Sequence, residues 1–113
     1  MERKNLQSPD ETVRTDKGKV EVVTIGKLKI TKFTFEPGWT WEKSEKPLAK
    51  TDSCQLTHNG YIISGRLRAR MIDSGKEEEY GPGDAFYILP GHDGYVVGNE
   101  PVVGLDISSI PTT

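Results

Sequence analysis

Residues 52–94 read DSCQLTHNGYIISGRLRARMIDSGKEEEYGPGDAFYILPGHDG, and the punctuation of this stretch decides the fold. Gly65, Asp73-Ser74-Gly75, Gly81-Pro82-Gly83-Asp84 and Pro90-Gly91-His92-Asp93-Gly94 cut it into short pieces. Glycine supplies left-handed turn conformations, proline presets a turn's first φ, and aspartate bonds to nearby amides, so each cluster predicts a turn or loop. The pieces between them are Tyr61 to Ser64, Leu67 to Ile72, Glu77 to Tyr80 and Ala85 to Leu89. They are short, and several are rich in β-branched and aromatic residues, so each predicts a strand. Arg66, Arg68 and Arg70 recur at every second position, which places all three on one face of their strand. That face is expected to be solvated or to meet a second copy of the chain.

The same reading extends in both directions. Lys19 to Ile25 is a β-branched run that Gly26 breaks. Leu28, Ile30, Phe33 and Phe35 follow with a change of phase between Ile30 and Phe33, which predicts a bulge. Glu36-Pro37-Gly38 is a turn, and residues 39–50 read as irregular and charged, with Trp39 and Trp41 at their head. After Gly94 come a strand over Tyr95 to Val97, a turn over Gly98 to Pro101 and a closing strand over Val102 to Ile107. No segment shows a helical period. The polar first dozen residues predict an extended or flexible arm over residues 1–18, ahead of one domain over 19–113. The expected class is all-β, an antiparallel barrel closed or split into two sheets.

Bulk properties narrow the possibilities. A chain of 113 residues with 34% hydrophobic residues makes one domain with a small core, which a partner copy would help to bury; a homodimer is expected. A net charge of −2 argues against nucleic-acid binding. The single Cys54 excludes an internal disulfide framework. The N-terminus has no apolar run of the signal-peptide kind, and no stretch approaches the roughly 20 apolar residues of a membrane helix. A cytoplasmic location is the expectation.

These turns and strands resemble the cupin superfamily over roughly residues 28–107, with a first motif from Gly38 through Asp52, Cys54 and His58 to Gly65. The second motif runs from Gly83-Asp84 through Leu89-Pro90-Gly91 to Gly94, after 17 intervening residues. More narrowly, the Cys-x-x-x-His-x-Gly-Tyr and Pro-Gly-His-Asp signatures resemble a subgroup of small single-domain cupins. The resemblance implies a double-stranded β-helix, or jelly-roll barrel. It also implies a metal site at positions 52, 54, 58 and 94, where cupins usually carry His, His, Glu and His. This chain carries Asp, Cys, His and Gly there.

The altered positions leave several chemistries open. Asp52, Cys54 and His58 are all competent ligands, and with His92, two residues before the usual fourth position, they form a set that favours zinc. One divalent transition metal, zinc or iron, is the cofactor this reading implies. On an unbroken strand Cys54 and His58 would lie about 13 Å apart at ~3.3 Å per residue. They share a metal only if Gln55-Leu56-Thr57 turns, and none of the three is a strong turn former. Cys54 reads equally as a small buried hydrophobe, and His58 as a hydrogen-bonded pocket residue. A Cys54 nucleophile activated by His58 requires an orienting third residue, and the sequence shows none. Trp39, Trp41, Tyr61 and Phe86 are the candidate lining of a pocket for a small organic ligand, or else plug the barrel. The expectations are therefore a small-molecule-binding barrel with an altered metal site, a metal-dependent enzyme on a small substrate, or an interaction module using the arginine face.

Overall fold

Lys17 takes a positive φ of 58° in a two-residue turn, and this turn folds Glu11–Thr15 (β1) back onto Gly18–Ile25 (β2), with Thr15 opposite Gly18. The computed structural model describes residues 1–110. The sheet thus begins within the stretch expected to be an arm. Asp10 fastens the start of the chain to it, accepting from Lys4 Nζ and from the Thr24 amide at 2.8 Å each.

Leu28–Phe35 (β3) pairs with β2 on one side and with Val102–Ser109 (β9) on the other, in unbroken register. The expected bulge is absent. The change of phase arises because Leu28 and Ile30 lie on the outer face, Ile30 opposite Val23 and Ile107, while Phe33 and Phe35 lie on the inner one. Beyond β9 come His58–Ser64 (β4) and Ala85–Ile88 (β7), which completes a six-stranded sheet in the order β1-β2-β3-β9-β4-β7. Glu77–Tyr80 (β6), Leu67–Met71 (β5) and His92–Val96 (β8) form a second antiparallel sheet in the order β6-β5-β8. Strand β8 starts at His92, inside the segment read as a loop, because residues 92–96 pair along β5.

The inner faces meet in a core of Phe33, Ile62, Leu67, Ala69, Phe86, Ile88, Val96 and Val102, with Ile62 and Val102 fully buried. Gly60 permits the approach of β4 to β9, since a Cβ there would collide with the Leu105 carbonyl oxygen. The all-β, two-sheet architecture is the one the turn spacing predicted.

Residues 39–50 are more ordered than expected. Trp41–Ser44 (α1) and Lys46–Ala49 (α2) are single helical turns, too short to display a 3.6-residue period. Thr40 caps α1 by accepting from the Lys43 amide, Pro47 sits in the first turn of α2, and Lys50 in a left-handed conformation ends it. The segment packs on β8, with Trp39 stacked on Phe35 at 3.8 Å between ring centroids. On the second sheet, Arg66 and Arg68 pair with Glu79, Arg68 also with Glu77, and Arg70 with Asp93. The arginine face is a mixed-charge ladder of cross-strand pairs. No helix among the described residues is long and apolar enough to cross a membrane.

Ile62 anchors the core from the middle of β4. Ile62→Ala is expected to destabilise the fold by about 2–5 kcal/mol, read as a lower denaturation midpoint at an unchanged slope.

Candidate functional site

Cys54 lies just before β4, in a segment that crosses to the other sheet. Its amide donates to the His92 carbonyl and its carbonyl accepts from the Gly91 amide, both at 2.7 Å. Residues 55–57 then run irregularly to His58, the first residue of β4. This supplies the turn that weak turn formers were not expected to make, because both ends are held by pairing: Cys54 on β8, His58 on β7 opposite Ile88. Cys54 Sγ and His58 Nε2 are 3.5 Å apart, far closer than on an extended strand.

His92 faces the same point from β8. The ligand atoms of Cys54, His58 and His92 all lie within 4.8 Å of one another, an arrangement that could hold a metal ion. Each imidazole has its Nδ1 edge occupied. His58 Nδ1 contacts Asp106 Oδ2 at 2.5 Å, and His92 Nδ1 donates to the Leu89 carbonyl at 2.6 Å. Both Nε2 atoms are left as the potential donors. A neutral, oriented imidazole whose far N–H is held by a carboxylate or carbonyl is the usual condition of a metal-ligating histidine. The donor set fits a transition metal of the thiolate- and imidazole-loving kind.

Asp106 was not expected. It lies opposite Thr31 and Gly60 on the inner face of β9 and binds His58 through one oxygen and the Asn59 amide through the other, at 3.2 Å. It supplies the third, orienting residue that the sequence does not show beside the Cys–His pair. Its signal is legible in retrospect: the closing strand alternates Val102, Gly104, Asp106 inward, and a carboxylate on a core face calls for a partner.

The charges of the site depend on one another. Burial would raise the Cys54 pKa, but hydrogen bonds from His58, His92 and the Leu56 backbone outweigh it and bring the thiol from 9.0 down to about 6. Burial would likewise lower the His58 pKa, but Asp106 and Cys54 hold its imidazolium up to about 9. Without metal, the pair is therefore thiolate and imidazolium between about pH 6 and 9.

Of the four residues read as metal ligands, three converge. Asp52 is exposed and stands outside the group. Gly94 shares the inner face with His92, one pair further along β8, so His92 presents its imidazole on the face where a histidine at position 94 would stand. Trp39, Trp41 and Phe86 lie buried in the core, whereas Tyr61 points outward and is 45% exposed; the four do not gather around one cavity. An opening lies elsewhere, between the edge strands β6 and β7. It is a cleft of ≈170 Å³ lined by Met71, Tyr80, Tyr87 and Ile88 among others. Ile88 and Met71 stand opposite His58 and His92 respectively.

Two facing antiparallel sheets closed on one core form a double-stranded β-helix, the jelly-roll fold of cupins. Among solved structures, the chain is similar to the polyketide cyclase RemF from Streptomyces resistomycificus, at 20% identity and a TM-score of 0.68 over 98% of this chain and 80% of that one. It is similar also to oxalate decarboxylase OxdC of Bacillus subtilis, an enzyme with Mn(II) centres, at 24% identity and a TM-score of 0.65 over 91% of this chain. The chain spans only 28% of that decarboxylase's length. No family model matches the sequence, and no curated protein matches it.

In the metal-free protein, thiolate absorbance in the ultraviolet is expected to titrate with a midpoint of about 6, and Asp106→Asn to move it upward. Stability follows the same groups. His58, with a folded pKa above its unfolded value, contributes stability at low pH that is lost as pH rises through about 9. Cys54, with a depressed folded pKa, contributes stability at high pH that is lost as pH falls through about 6. Unfolding free energies measured across this range should show both losses in the parent chain and neither in Cys54→Ala/His58→Ala.

Proposed function

We propose that Cys54, His58 and His92 hold one divalent transition metal, zinc or iron, and that the protein uses it on a small organic molecule. The observation that carries this reading is the pair of imidazoles, each with Nδ1 committed to a carboxylate or carbonyl, gathered with the Cys54 thiol so that all three donor atoms lie within 4.8 Å. In the metal-free protein the remaining ring nitrogens hydrogen-bond the Cys54 thiolate, and a metal ion would take the place of those protons.

A metal bound there supplies Lewis acidity or an activated water. The chain's own residues set the conditions. Cys54 brings a negative charge, and a thiolate favours zinc over the manganese of oxalate decarboxylase, since manganese prefers oxygen donors. Asp106 keeps the His58 proton on Nδ1 and the ring in place. Ile88 and Phe86 keep the neighbouring wall apolar and buried. The cleft between β6 and β7, with Tyr80 and Tyr87 on its sides, is the candidate place for a small ligand, because its lining includes Ile88 and Met71, the cross-strand neighbours of His58 and His92. Its ≈170 Å³ suits a ligand of few atoms, well below the 300–1,000 Å³ of drug-sized pockets.

The second reading is an emptied barrel that binds a small molecule without metal. The replacement of the usual ligands at positions 52 and 94 by an exposed Asp52 and by Gly94 favours it. Both readings keep the protein in the cytoplasm, where a single free thiol stays reduced. Both also keep it a homodimer: the outer face of the larger sheet exposes Leu28, Tyr61 and Ile107, apolar residues that a second copy would cover.

Elemental analysis of protein purified without tag or chelator separates the two. The metal reading predicts about one zinc or iron per chain, lost in Cys54→Ala, His58→Ala and His92→Ala. Asp106→Asn should retain the site but weaken it about 10–100-fold. A chain that carries no metal and takes none up on addition would leave the emptied barrel standing.

A further inference from the structure

Met71 ends β5 directly opposite His92. The next pair along is closed by the Ile72 amide donating to the Gly91 carbonyl at 2.9 Å. Met71 and His92 are therefore a non-hydrogen-bonded pair, the kind whose side chains stand closest, with Cβ atoms about 4.5–5.5 Å apart. Alternation puts Met71 on the same face as Leu67 and Ala69, both in the core. Its terminal methyl comes within 3.7 Å of where a Cβ on Gly91 would stand. Gly91 in turn is the residue whose amide holds the Cys54 carbonyl. The thioether thus rests beside the crossing that carries Cys54 and His92, on the side that opens to the cleft.

We propose that Met71 is a fourth donor, and that the set Cys54, His58, His92 and Met71 opens the site to copper(I). This rests on the metal-centre reading above and extends it to a particular class of ion. A thiolate, two imidazoles and a thioether form a soft donor set, the one that protein copper sites of the electron-transfer kind employ. Zinc gains little from a thioether and fills its fourth position with water or substrate oxygen. The two ions therefore make different demands on Met71, and this separates a ligand from a residue that only fills space. As a flexible core filler, Met71 would be replaceable by leucine at little cost.

The test uses the full-length chain, stripped of metal and kept reduced and free of oxygen. Parent and Met71→Leu are titrated with copper(I) against a chromophoric copper(I) chelator, and separately with zinc against a zinc chelator. Loss of the thioether is expected to weaken copper(I) about tenfold, equivalent to about 1.4 kcal/mol of binding, while zinc affinity stays within about twofold. A second readout needs no variant. The chain has two methionines, Met1 and Met71, so in ¹³C-methyl-methionine protein one of the two methyl resonances should shift on adding copper(I) and neither on adding zinc. Equal effects of Met71→Leu on both ions, or no shift of the Met71 methyl with copper(I), would overturn the proposal while leaving the three-donor site intact. Failure of the parent chain to take up either ion would remove the metal-centre reading and this proposal together.

Discussion

Two backbone hydrogen bonds at one crossing, Cys54 N to His92 O and Gly91 N to Cys54 O, hold the candidate site together. Strand β4 belongs to the larger sheet and β8 to the smaller, so this crossing is where the chain ties the two sheets at the level of the candidate site. It fixes Cys54 beside His92 and leaves only three residues to reach His58 at the start of β4. Without it, the extended geometry of a strand would carry the thiol and the imidazole apart. The register of β4 against β9 then decides whether His58 finds Asp106, and Gly60 lets those strands come close enough for it to do so.

The electrostatics follow from the geometry. Burial opposes charge on Cys54 and on His58, yet both are held in their charged forms because each is the other's partner and Asp106 backs the imidazole. A thiolate, an imidazolium and a carboxylate in a row is an arrangement in which a proton is easily displaced by a cation. Metal binding would release that proton and neutralise the thiolate, which is the usual coupling of metal affinity to pH.

Much of the fold was legible because turn chemistry is local. The glycine and proline clusters at 73–75 and 81–84 mark the turns between β5, β6 and β7, and Gly26 marks the β2–β3 turn. What escaped the sequence was set by non-local pairing. Residues 11–15 are mostly polar and mostly exposed, and become a strand because β2 offers them an edge. Single-turn helices at 41–44 and 46–49 have no period to read. The phase change in β3 reads as a bulge when one inner face is assumed, whereas the strand has apolar residues on both faces. Within the site, Cys54 and His58 were visible as residue types at motif positions, and His92 as a histidine two residues before one. Asp106 was not, because it sits 48 residues from His58, and only the β4–β9 register brings the two together. Asp52 was misplaced for the converse reason: its motif position suggests a ligand, but the segment before the crossing turns it to solvent.

X-ray absorption at the metal edge of zinc-loaded protein bears most directly on the convergence of the three side chains. One sulfur at about 2.3 Å and two imidazole nitrogens at about 2.0–2.1 Å around each zinc are the predicted result. A shell of nitrogen and oxygen alone, without sulfur, would contradict the assignment of Cys54 to the centre.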